Sequence, residues 1–463
     1  MFGKQKTSLW FLVIFLLATL LRVGLALVNR EANDDHLEVA RMIMQEKRLP
    51  LMDDCWECFQ PKFYHLSLAV IFQSLNITQP ETQTLVAQLL NVLMGALTIW
   101  VAYLFIRSLS TGNDLIKLTA FALLAFNPDL IGINAQATND SLAILLGTLG
   151  AYHAFLFLKQ GRDKNLLLSM ILISLGITAK TNLFAMAMAI TAALAVKALV
   201  DKQKMMFYRA AFFFPLVFIS VFVNPISQYL TNYKNNEPVA GMNIGMQPLP
   251  GFFEKTYYAR PGITSIQDGF FTFKYINLLK VPRLPLVPYD PNYPDHRTSL
   301  WTQVYARAHS VHFANWPSSW STTDENLFPL TRAIFIFALL PSVLLVVGAW
   351  ISLFESGRAI LKRAGSSLQA QHYGLFDFLF WSYVAFVSVY ALSYRDFAVM
   401  KALFMYPALL SFCYLFIKGA ETIQNALKGQ KWFMATLVSV TVILIVLYSL
   451  DVAILIAHLN SLL

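Results

Sequence analysis

The sequence predicts an all-α polytopic membrane protein of about eleven transmembrane helices with two large extracytoplasmic loops. Three observations predict it. The 463 residues are 57% hydrophobic and 13% charged, with mean hydropathy +0.55; an average soluble domain carries about a quarter charged residues. Apolar runs near the roughly 20 residues needed to cross hydrocarbon recur along the chain, and they are continuous rather than alternating, which reads as helices and not barrel strands. The basic residues sit mostly in short connectors between these runs, as the positive-inside rule produces. The net charge of +9 is therefore a topology signal. With no basic cluster interleaved with aromatics, nucleic-acid binding is excluded.

Lys4 and Lys6 precede the first apolar run, residues 8–28. It is too long for a signal-peptide core and lacks a small-x-small cleavage site, so it reads as an uncleaved anchor with a cytoplasmic N-terminus. The loop over 29–83 is then outside. It holds a helical stretch at 35–47 and a short apolar segment at 63–75, flanked by Lys62 and His65. Crossing there would invert the charge bias of every later loop, so this segment is read as a helix lying in the interface. Further spans are expected at 84–106, 115–131, 141–158, 166–178, 183–200 and 207–223, then at 330–354, 376–394, 399–417 and 432–458. On this count the inside connectors carry Arg107 and Lys117, then Lys159, Arg162 and Lys164, then Lys202, Lys204 and Arg209. Later ones carry Arg358, Lys362 and Arg363, and lastly Lys418, Lys428 and Lys431. The C-terminus is expected outside. Three parts follow: a transmembrane module with the first outer loop (1–225), a long outer loop rich in Tyr, Trp, Pro and Asn (226–328), and the last helices (329–463). A Gly-rich phosphate loop ending in Lys-Ser/Thr is missing from the sequence, so nothing suggests nucleotide-driven work.

Four polar constellations lie on the outer side. Asn33-Asp34-Asp35-His36 follows the first span; its carboxylates could serve a general base, or simply cap the next helix. Residues 53–65 form a mixed polar-aromatic turn that ends in Tyr64 and holds Lys62. Its Cys55 and Cys58 lack a second pair, which argues against a four-ligand zinc site and leaves a local disulfide or two free thiols. Cys413, in an apolar run, reads as a packed thiol. Asn127-Pro128 and Thr138-Asn139-Asp140-Ser141 mark the next outer turn, where Asp140 could again be a cap. Lys180 breaks the charge rule. At membrane depth it is a candidate anion partner, or it snorkels to the interface; Arg395 and Lys401 pose the same question. His296, His309 and His312 have no metal-ligand spacing and read as ordinary polar loop residues. No metal ligand set is assigned, no cofactor is certain, and a divalent metal is left open.

Together these pieces resemble the GT-C superfamily of membrane glycosyltransferases, most closely its protein O-mannosyltransferase and aminoarabinose transferase branch. The resemblance rests on Asp34-Asp35, Arg48-Leu49-Pro50 and Gln60-Pro61-Lys62-Phe63-Tyr64. It extends to Phe126-Asn127-Pro128 through Thr138-Asn139-Asp140-Ser141, Gly176-Ile177-Thr178-Ala179-Lys180, and Arg395 with Tyr406-Pro407. Two positions depart from the pattern: the family's Glu is Asp35 here, and its second Pro is Lys62. The resemblance implies a transferase that takes a sugar from a polyprenyl or dolichyl phosphate carrier. Asp34, or Asp35, would deprotonate the acceptor hydroxyl for attack with inversion, and Lys180, with Lys62 and Arg395, would meet the donor phosphate. Asp140, His36, Tyr64, Trp301, Tyr305 and Arg307 would face the sugar or the acceptor. The partners implied are a lipid-linked donor, membrane lipids, and an acceptor protein, lipid or glycan. The setting is a bacterial plasma membrane or the endoplasmic reticulum. The competing class is a secondary transporter or lipid flippase, which predicts two related halves with charged pairs at mid-membrane.

Overall fold

The computed structural model describes residues 4–110, 113–235, 237, 265–282, 298–312, 317–321, 324–361, 368–394 and 399–462. Helices α1 (Lys4–Val28), α2 (His36–Glu46), α3 (Phe63–Ser74), α4 (Pro80–Ser108), α5 (Asp114–Ala125) and α6 (Pro128–Asn134) come first. Helices α7 (Asp140–Gln160), α8 (Asp163–Ala179), α9 (Phe184–Asp201), α10 (Lys204–Phe222) and α11 (Tyr229–Lys234) follow. The long loop contributes α12 (Ile266–Phe270), α13 (Tyr275–Lys280) and α14 (Leu300–His309). The chain closes with α15 (Phe328–Leu361), α16 (Leu368–Tyr394), α17 (Leu409–Ala426) and α18 (Lys431–Ser461). Among the described residues every regular element is helical. Nine helical segments are long and apolar enough to cross a bilayer, and a bent pair, α5 with α6, brings the number to ten. Outward faces such as Leu9, Leu12, Leu16 and Leu20 of α1, or Phe212, Leu216 and Ile219 of α10, stay exposed, as lipid-facing surface should. The chain is an integral multi-pass membrane protein.

Three expected spans take a different form. Residues 115–131 do not make one helix: the chain bends by 48° between α5 and α6. Pro128 has no N–H to donate, and the Asn127 side chain accepts from Leu130 N–H to cap a new helix there. The expected span at 166–178 is α8, a 17-residue helix shorter than the roughly 20 residues a full crossing takes. The segment 399–417 begins as a 3-10 turn, Ala402–Ala408, holding Pro407, and only then becomes α17. The segment 63–75 forms α3, which buries Tyr64, His65, Leu68 and Phe72 against the bundle and leaves Val70 exposed.

The α5–α6 break is tied to α1 by Arg22, a fully buried guanidinium. Ending α5 releases carbonyls that no longer find a helical N–H. Arg22 Nη1 donates to Ala125 O (2.8 Å), and Nε donates to Asn134 Oδ1 (2.9 Å). At the opposite end the basic connectors meet: Lys159 donates to Ser108 O, Arg209 pairs with Asp163 (2.7 Å), and Lys418 pairs with Glu355 (2.7 Å).

Candidate active site

The loop after α1 carries Asp34 and Asp35 to the N-terminus of α2. Asp35 occupies the N-cap place yet makes no side-chain cap bond, and it is exposed. Asp34 turns the other way. Its Oδ1 accepts from Asp35 N–H (3.1 Å), and its Oδ2 lies 3.9 Å from His36 Nε2. The capping explanation therefore fails for both residues, and Asp34 is the carboxylate aimed at the interior.

His36 is buried at the centre of this wall. Its Nδ1 lies 3.1 Å from His65 Nε2, with the two rings stacked, and 4.0 Å from Glu57 Oε2. Tyr64, also buried, sets its ring edge-on to His36. Burial drives the His65 imidazole well below the usual histidine range, so it stays neutral. Burial also raises the Glu57 carboxyl. The Cys55–Cys58 pair is bonded and closes the turn that presents Glu57.

The next wall is the turn between α6 and α7, held in place by α4: Asn91 Nδ2 donates to the carbonyls of Gln136 (2.6 Å) and Thr138 (2.7 Å). Asp140 starts α7 but is no bland cap. Its Oδ1 pairs with Lys180 Nζ at 2.6 Å and its Oδ2 accepts from Thr138 Oγ1 at 3.0 Å. Thr138 Oγ1 in turn lies 3.3 Å from His36 Nε2. Lys180 reaches this place because α8 ends at Ala179 and Asn139 Nδ2 binds the Ala179 carbonyl. Its ammonium also stands over the Phe404 ring, 5.6 Å from the centroid.

A third wall comes from the C-terminal half. Tyr406 Oη donates to Asp129 Oδ2 (2.8 Å), and Asn127 Nδ2 donates to Ala308 O (2.8 Å). Arg307 and Lys401 lie within electrostatic reach of Asp129, and Lys401 also feels Asp34, Asp140 and Lys180. Next to this layer an apolar cavity of about 590 Å³ opens. Asn127, Tyr406, His309 and Tyr448 give it polar edges, while Leu124, Val346, Phe380 and Phe412 are among its apolar walls.

The structure thus brings Asp34, His36, Asp140 and Lys180 together, with Tyr64 behind them. Lys62 faces elsewhere. It has no exposed surface and donates to the carbonyls of Cys58 and Gln60 (2.9 Å to the latter); burial lowers it to about 7. Trp301 and Tyr305 line the cavity, their polar atoms donating to the carbonyls of Phe270 and Phe335. Arg307 is buried and within electrostatic reach of Asp129. Arg395 and His296 lie outside the described residues. His312, expected to be an ordinary loop residue, is instead buried against α18, and His309, expected to be the same, is half-buried against that helix. Asp129 and Arg22 were not singled out in the sequence, and Glu57 lay in the 53–65 turn without an assigned role. Among the described residues no group of three or more His, Cys, Asp and Glu is placed to hold a metal ion, and Asp140 is committed to Lys180, so no metal-dependent step is derived.

Comparison with known proteins follows the same lines. The apo crystal structure of the oligosaccharyltransferase from Archaeoglobus fulgidus matches at a TM-score of 0.50 and 13% identity, over 97% of this chain and 56% of that one. The same archaeal enzyme, AglB, in complex with an inhibitory peptide and a dolichol-phosphate matches at 0.47 and 13%, over 97% and 56%. ArnT from Cupriavidus metallidurans bound to undecaprenyl phosphate matches at 0.37 and 16%, over 90% and 78%. The chain spans about half the length of the archaeal enzyme, and at these identities the likeness is one of fold alone. Residues 70–223, a third of the chain, match the family described as dolichyl-phosphate-mannose-protein mannosyltransferase. No curated protein matches the chain.

Proposed function

We propose that this protein transfers a sugar from a polyprenyl or dolichyl phosphate carrier to an acceptor hydroxyl, at the end of the bundle that faces away from the cytoplasm. The observation that carries the reading is convergence. Asp140 pairs with Lys180, Lys401 stands in the field of Asp34, Asp140 and Lys180, and Tyr406, hydrogen-bonded to Asp129, lines an apolar cavity large enough for part of a lipid chain. A lipid-linked phosphate has both needs at once, an apolar slot for its tail and fixed cations for its head. The family description over residues 70–223 supports the same donor class.

Asp34 is the general base in this scheme. It takes the proton from the acceptor hydroxyl as the oxygen attacks the anomeric carbon from the face opposite the phosphate, which inverts the configuration. The C–O bond to phosphate breaks, and the departing charge is met by Lys180, Lys401 and Arg307. Asp140 and Thr138 hold Lys180 in position for this task. Preorganised cations in a water-poor site stabilise developing charge strongly because they need not reorganise. The acceptor enters under the long loop, against α14.

The deciding assay offers nanodisc-embedded protein a panel of radiolabelled polyprenyl-phosphate sugars. Turnover of one donor is expected, cut by about 10²-fold or more in Asp34→Asn and within a few-fold of wild type in Asp35→Asn. Folded protein that neither consumes nor binds any donor sinks the reading.

A further inference from the structure

The last membrane helix carries a carboxylate that the proposed chemistry does not use. Asp451 of α18 has no exposed surface. An ionisable group inside a membrane span is expensive unless partnered, and such residues mark function. Its partners lie on the long loop. Oδ2 accepts from Val311 N–H at 3.0 Å, and Oδ1 lies 3.6 Å from His312 Nε2, which also meets the Asp451 main-chain oxygen at 2.7 Å. Three residues earlier, on the same face of the helix, Tyr448 Oη meets His309 Nδ1 at 2.5 Å with the two rings parallel. On its other side His309 Nε2 faces Ser342 Oγ of α15 at 3.4 Å. Residues 309–312 are therefore clamped between α18 and α15.

That clamp sits immediately after the two residues by which α14 touches the candidate site. Ala308 O receives Asn127 Nδ2, whose own Oδ1 accepts from Tyr406 Oη (3.3 Å), and Arg307 stands in the field of Asp129 and Lys401. We propose that Asp451 and Tyr448 are positioning residues: the final membrane helix fixes the C-terminal end of α14 and so places Arg307 among the charged groups of the candidate site. The role given to Arg307 rests on the proposed function, whereas the clamp stands on its own contacts.

The test uses full-length protein in nanodiscs, as wild type, Asp451→Ala, Tyr448→Phe, Arg307→Ala and the Asp451→Ala/Arg307→Ala double variant. Hydrogen exchange over residues 300–312 is expected to rise about tenfold in Asp451→Ala and less in Tyr448→Phe, with α2 and α3 unchanged. Titration with undecaprenyl phosphate should show weaker binding for Asp451→Ala and Arg307→Ala, and a double variant no weaker than Arg307→Ala alone. Unchanged exchange over 300–312 in both single variants overturns the clamp. Losses that add in the double variant overturn positioning through Arg307. Should Asp451→Ala fail to fold, Tyr448→Phe decides, since it removes one hydroxyl and keeps the ring stack. Wild-type protein that binds no polyprenyl phosphate defeats the donor reading, while the exchange result still rules on the clamp.

Discussion

Arg22 shows how a cation survives in an apolar helix: its partners are the Ala125 carbonyl, freed by the α5–α6 break, and the Asn134 amide oxygen. Arg22→Met removes these donors and leaves both acceptors buried without a partner. Unpaired buried groups cost about 1–3 kcal/mol each, partly offset because the guanidinium no longer has to be desolvated. A clearly lowered unfolding midpoint in a thermal melt is expected, and an unchanged midpoint contradicts the pinning role. Lys62 gives a pH signature. Its folded-state value of about 7 lies below the ordinary lysine value of 10.5, so between them the unfolded chain binds more protons and stability rises with pH. The wild-type midpoint should climb from pH 7 toward 10, and Lys62→Met should abolish that part of the climb. Neither side chain's role was legible in the sequence. Lys62 lay in a motif that suggested a ligand, whereas the structure folds it into its own loop. Arg22 and Asp129 lay inside or beside apolar runs, where the only signal was an ionisable residue in the wrong solvent.

The most tightly specified helix contact is that of α15 with α17. A Cβ built on Gly348 would stand 1.9 Å from Leu415 O, and one on Gly419 would stand 1.9 Å from Leu344 O. The pairs Leu344/Gly348 and Leu415/Gly419 are each four apart, so the two helices meet through small residues on one face, as association in lipid favours. Gly348→Val forces the backbones apart and shifts one wall of the cavity. We expect a loss of about 1–3 kcal/mol, read as earlier unfolding in a detergent series, with Gly357→Val, where the added Cβ meets open space, as the silent control. Hydropathy located most elements because a span must be apolar whatever it packs against. It missed the breaks, which depend on Pro128 and Pro407 rather than on polarity. The Asn127-Pro128 pair was the available signal, since a proline inside an apolar run ends or kinks its helix.

At the scale of the molecule, the convergence of Asp34, Asp140, Lys180, Lys401 and Arg307 could not be read from spacing, because it joins segments up to hundreds of residues apart. The family resemblance named Asp34, Asp140, Lys180 and Arg307 as site residues and Lys401 was singled out by its charge, but only the fold relates them in space. The long loop offered no periodicity, so α14 and its anchoring on α18 were invisible in the sequence. What the sequence did carry was charge asymmetry, and the proposed chemistry depends on it: the carboxylate cluster and the basic connectors occupy opposite ends of the bundle. If the connectors are cytoplasmic, the cluster faces outward, where a carrier lipid rather than a nucleotide delivers sugar. Single cysteines test this directly, because Cys413 is buried and Cys55 is bonded to Cys58. Glu81→Cys, exposed in the first turn of α4, and Gln203→Cys, exposed between α9 and α10, lie at opposite ends. In intact cells a membrane-impermeant maleimide should label position 81, and should label position 203 only after permeabilisation. The reverse pattern would turn the cluster toward the cytoplasm, make soluble nucleotide sugars the donors to try, and remove the physical reason for a lipid-linked one.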